Sequence, residues 1–80
     1  MPYNLHGPAL TLTADERAAE AKRLLQIIAR EDEDTLERKL TREAKTFLRE
    51  KFVAMSFGGV GVAVTEKELL WLRDLKSKFD

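Results

Sequence analysis

The sequence contains no cysteine, which excludes a disulfide framework and any thiolate metal site. It has one histidine, His6, isolated near the start, so neither a His-paired nucleophile nor a histidine metal site is expected. No apolar run approaches the roughly 20 residues needed to cross a bilayer. The opening Met1-Pro2-Tyr3-Asn4-Leu5-His6 lacks the basic region and apolar core of a secretory leader. Net charge is also absent: Lys plus Arg at 14 balance Asp plus Glu at 14, so nothing draws the chain as a whole toward nucleic acid or anionic membrane. The two prolines and four glycines are confined to Pro2, Gly7 and Pro8 and to Gly58, Gly59 and Gly61. A soluble, cytoplasmic protein with no membrane partner is expected.

What is present is a folding composition, 44% hydrophobic and 35% charged over 80 residues, enough for one small core. Residues 1–8 read as an N-terminal arm and 9–80 as a single helical domain. Two segments in it are built alike. Leu10-Thr11-Leu12-Thr13-Ala14-Asp15-Glu16 and Val62-Ala63-Val64-Thr65-Glu66-Lys67-Glu68 each pass from period-two alternation into a Thr placed three residues before a Glu. The alternation is that of a half-buried strand. The Thr–Glu spacing is that of a capping box, in which each side chain satisfies the other residue's backbone N–H.

The first helix should follow Thr13, with Ala14, Ala18, Ala21, Leu25 and Ile28 on one face. Its early, alanine-lined part allows another backbone to approach closely. Glu31-Asp32-Glu33-Asp34 marks a turn, and Asp34 with Glu37 reads as a third start signal. A long second helix is expected from about Thr35 to Met55, with Leu36, Leu40, Ala44, Phe47, Leu48 and Met55 on one side. Ser56-Phe57-Gly58-Gly59-Val60-Gly61 ends it. A last helix from about Glu66 to Lys78 gathers Leu69, Leu72, Leu75 and Phe79 in one arc. The expected fold is therefore mainly α: a compact three-helix domain in β-α-α-β-α order, with room for a two-stranded antiparallel ribbon from residues 9–13 and 60–64.

Several features could carry function. On a continuous second helix, Arg38, Arg42, Lys45 and Arg49 fall at steps of four, three and four, forming a basic strip opposite the apolar side. Such a strip suits an acidic protein surface or a phosphate backbone. It equally describes a solvated face. On the last helix, Leu70 and Trp71 project outside the apolar arc, so the helix is either wedged between two elements or presents an anchor to a partner. Gly58-Gly59-Val60-Gly61 lacks the Lys-Ser/Thr of a phosphate loop and the spacing of a dinucleotide fingerprint, and reads as a helix stop. Residues 31–34 lack the glycine turn and alternating oxygen ligands of a calcium loop. No cofactor is indicated. With carboxylates on exposed faces and no sign of a deep pocket in so short a chain, no enzymatic activity is expected.

Two functional readings follow. The first is a protein-binding module, a regulator or inhibitor acting through Leu70, Trp71 and the basic strip on a partner protein or on its own copy as a homodimer. The second is a DNA-binding transcriptional regulator. In its order of elements, the short strand at Leu10–Thr13, a helix, a tight link and a second helix, about half the chain resembles the ribbon-helix-helix family. That resemblance implies a dimer whose paired strands enter the major groove, with Thr11 and Thr13 turned toward bases and the amides near Thr35 meeting a phosphate. The chain departs from the pattern at three points: four acidic residues would flank that phosphate, the strand has no Arg, Lys or Gln to read base edges, and residues 56–80 have no counterpart.

Overall fold

A computed structural model describes residues 12–79. The N-terminal arm over 1–8, and residues 9–11 of the expected first strand, lie outside the described residues. The described residues form four helices: α1 (Ala14–Ile28), α2 (Glu33–Lys39), α3 (Arg42–Ser56) and α4 (Glu66–Ser77).

Both capping boxes are present. Thr13 Oγ1 accepts from the Glu16 amide at 3.1 Å, and Glu16 Oε1 accepts from the Thr13 amide at 2.9 Å. Thr65 and Glu68 repeat the pair at the start of α4 with the same distances. Each box satisfies two of the donors that a helix start leaves without partners.

The single long second helix is corrected to two. Leu40 takes an extended conformation (φ −111°, ψ 143°), and Thr41 begins a new helix by accepting from the Ala44 amide at 3.1 Å. A Thr hydroxyl that bonds forward to the third helical amide requires an extended backbone at its own position, so the α2 helix stops before it. The break turns Leu40 into the core, where it is buried. The start of α2 also differs: Asp32, not Asp34, is its cap, accepting from the Thr35 amide at 2.8 Å. Hydrogen bonding from the Thr35 side chain, with that backbone bond second, holds the Asp32 carboxyl below its ordinary range.

The ribbon expectation is corrected as well, since no strand occurs among the described residues. Val62 and Val64 are buried and Ala63 between them is exposed, as the alternation requires. Their segment lies along α1 instead of a second strand. The Val62 amide donates to the Ala18 carbonyl at 3.0 Å. Its carbonyls are taken by side-chain cations: Lys22 Nζ donates to Gly59 at 2.7 Å, Lys51 Nζ to Ala63 at 3.3 Å and Arg17 Nε to Val64 at 3.1 Å. Gly58 and Gly59 carry φ of 92° and 94° and reverse the chain after α3.

The core is formed chiefly by α1 against α4, with Leu25 and Ile28 meeting Leu69, Leu72 and Leu75, all fully buried. Each such side chain contributes about 1.5–3 kcal/mol by leaving water. Ala44, Phe47 and Leu48 bring α3 onto the same cluster. Helix α2 has no buried residue. It covers α3 incompletely, and this sets up the candidate site.

A groove between α2 and α3 as candidate functional site

Because α2 is only seven residues long, the apolar side of α3 extends past it and a groove of about 550 Å³ is left between them. Its apolar lining is Leu36 and Leu40 from the α2 side and Leu48, Phe52 and Val53 from α3. Leu40 and Leu48 are buried at its floor, while Val53 is 51% exposed on its edge. Ser56 also lines it.

The two walls differ in charge. Helix α2 contributes Glu33 and Glu37, and α3 contributes Lys45 and Arg49. Lys45 Nζ stands 2.8 Å from Glu37 Oε1 and ties the helices together across the break. This hydrogen-bonded ammonium holds the Glu37 carboxyl below its ordinary range. Both groups face solvent, and such a pair exchanges readily with water or with another charge. No ion pair engages Glu33 or Arg49 among the described residues.

The helix break divides the basic strip. Arg38 lies on α2, its Nε donating to the Asp34 carbonyl at 3.4 Å, while Arg42, Lys45 and Arg49 lie on α3. Lys45 and Arg49 meet at the groove, and Arg38 and Arg42 are exposed outside it. On α4, Leu70 is 43% exposed. Trp71 is half-buried and stacks on Phe47 of α3, the ring centroids 4.3 Å apart and the planes 14° from parallel. Trp71 thus faces α3 and Leu70 faces solvent.

Sequence reasoning overlooked Glu33, Glu37, Phe52 and Val53 as parts of a site. The available signals were the Thr41 cap, which ends α2 early, and the Phe52-Val53 pair, which makes the apolar side of α3 wider than a core stripe needs.

A second apolar feature follows Ser56 in the chain. Phe57 is 85% exposed and Val60 93% exposed, on either side of the Gly58-Gly59 turn. Among the described residues no group of three or more His, Asp or Glu side chains is placed to hold a metal ion, and no helix is long and apolar enough to cross a membrane. No protein-family model matches the chain, and no curated protein or solved structure matches it.

Proposed function

We propose that this chain is a small non-enzymatic protein-binding module, a regulator or inhibitor that works by occupying a protein surface, with the α2–α3 groove as its binding face. The occupant is an apolar ridge of a folded protein, carrying one or two side chains of Phe or Leu size and charges of both signs at its edges. The observation that carries this reading is the groove itself: five apolar side chains between an acidic and a basic wall on a chain of zero net charge. A cavity of about 150 Å³ accommodates a benzene-sized group, so the groove has room for a few large side chains. Exposed Val53 and the solvated Glu37–Lys45 pair leave it open along its edge, a shape suited to a protein ridge more than to an enclosed small ligand.

The alternative, a DNA-binding regulator using Arg38, Arg42, Lys45 and Arg49, draws less support. The break at Leu40-Thr41 splits those residues between two helices, and Glu37 neutralises Lys45.

The test is affinity capture from host lysate with nuclease present, comparing the wild type with Val53→Glu, which places a charge on the groove edge without touching the core. Support would be a stoichiometric protein, including an untagged copy of the chain itself, that survives moderate salt and is lost with Val53→Glu. If both versions recover the same proteins, or if recovery is lost with nuclease, the groove is not the binding face.

A further inference from the structure

The charges and apolar groups around the groove are arranged so that the surface complements itself. Lys45, Arg49, Val53 and Phe57 follow one another at steps of four, which places them in a single row along α3. Phe57 keeps helical geometry (φ −78°, ψ −4°), so the row continues through it. Its first half is basic and its second half apolar. The groove borders this row, with Leu36, Leu40 and Leu48 beside Lys45 and with Glu33 contributed by α2. Among the described residues, Phe57 and Val60 are apolar groups outside the core and nothing fills the apolar recess of the groove. Neither Arg49 nor Glu33 forms a salt bridge among the described residues, although the Arg49 charge also helps to hold the Glu37 carboxyl low.

We propose that the groove is filled by a second copy of this chain in a two-fold dimer, with the α3 helices antiparallel, Phe57 of each copy seated among Leu36, Leu40 and Leu48 of the other, and Arg49 of each paired with Glu33 of the other. Antiparallel pairing centred near residue 51 sets position 57 opposite 45 and position 53 opposite 49. The apolar half of each row then faces the basic half of the other, where the stems of Lys45 and Arg49 cover the aromatic ring. A two-fold axis makes every such contact twice.

The size is sufficient for a weak dimer. A specific interface needs roughly 600 Å² from each partner, and one aromatic side chain supplies about 150–250 Å² when covered. Phe57 with Val60, Val53 and the groove walls reaches the lower edge of that range, the size class of weak and transient complexes.

This inference rests on the groove being a protein-binding face and names its occupant. The test is sedimentation equilibrium of the full chain over a concentration series, with circular dichroism to verify folding of every variant. The wild type is expected to pass from monomer to dimer, and Phe57→Ser, altering a side chain outside the core, to remain monomeric. Glu33→Arg and Arg49→Glu should each weaken the dimer about tenfold or more, and the two together should restore it. A wild type that stays monomeric to roughly 1 mM, a dimer indifferent to Phe57→Ser, or a double variant no tighter than the singles would overturn the proposal. If the chain is monomeric but Val53→Glu still abolishes capture of a lysate protein, the binding-module reading stands and the second copy is the wrong occupant.

Discussion

Gly61 and Ala18 meet backbone to backbone: a Cβ on Gly61 would stand 2.6 Å from the Ala18 carbonyl carbon and 2.8 Å from the Ala18 Cβ and carbonyl oxygen. The same approach allows the Val62 amide to reach the Ala18 carbonyl. Helix α1 tolerates it because its early turns carry alanine.

Gly61→Ala should therefore destabilise the fold. The methyl group cannot be absorbed by a side-chain rotation, since the atoms it meets are the Ala18 backbone and the Cβ fixed to it, so the 60–64 segment must retreat and weaken its bond to Ala18. Overpacking of this kind costs about 1–3 kcal/mol, readable as a lower urea midpoint. Gly58→Ala is the reference: a Cβ there meets nothing within 4 Å, although φ is 92°, so its cost is the left-handed strain alone, about 1–2 kcal/mol. An unchanged urea midpoint for Gly61→Ala would show that the close approach does not hold in solution.

Leu70 and Trp71 are neighbours in sequence with separate roles. Trp71 covers Phe47 and joins α4 to α3, while Leu70 faces solvent. Trp71→Ala should cost about 2–4 kcal/mol of stability, somewhat below the figure for a fully buried aromatic, and Leu70→Ala less than about 0.5 kcal/mol. Denaturant unfolding of the two variants decides the matter. If Trp71→Ala is as stable as the wild type, Trp71 is free of Phe47 in solution and available as a partner anchor.

The parts of this fold legible in the sequence are those written in short-range chemistry. Thr13 with Glu16, and Thr65 with Glu68, announce helix starts because a capping box involves only residues three apart. The alternation of Val62 and Val64 correctly indicates a segment with one buried face. It does not say what covers that face, and the answer is α1, more than 40 residues earlier. The break at Leu40-Thr41 was obscured for a specific reason. Leu36, Leu40, Ala44 and Leu48 sit four apart, so they look like one stripe on one helix. Thr41 also has Ala44, not Glu, at the third helical position and lacks the reciprocal half of the box. The site suffered from the same ambiguity. Lys45 and Arg49 stand out as basic residues on a helix face, but Glu33 and Glu37 join them only because the break sets α2 beside α3.

The pair between Glu20 on α1 and Arg73 on α4 ties the two helices that make most of the core. Arg73 Nε lies 2.5 Å from Glu20 Oε2, and Arg23 stands 3.9 Å from the other carboxylate oxygen. The hydrogen bond from Arg73 holds the Glu20 carboxyl below its ordinary 4.5 and raises Arg73 in turn. A carboxyl with a lowered folded pKa takes up its proton more readily in the unfolded chain. Its stabilisation is therefore complete above pH 4.5 and is lost as pH falls through the lowered folded value. Glu20→Gln should cost about 1 kcal/mol at neutral pH, with the difference from the wild type holding down to about pH 4.5 and shrinking as pH is lowered further toward about 2. Asp32 and Glu37, whose carboxyls are also held low, titrate equally in both proteins and cancel in that difference. Urea unfolding at stepped pH reads it directly. A gap that stays constant across the range would mean that Glu20 contributes by packing and not by its charge.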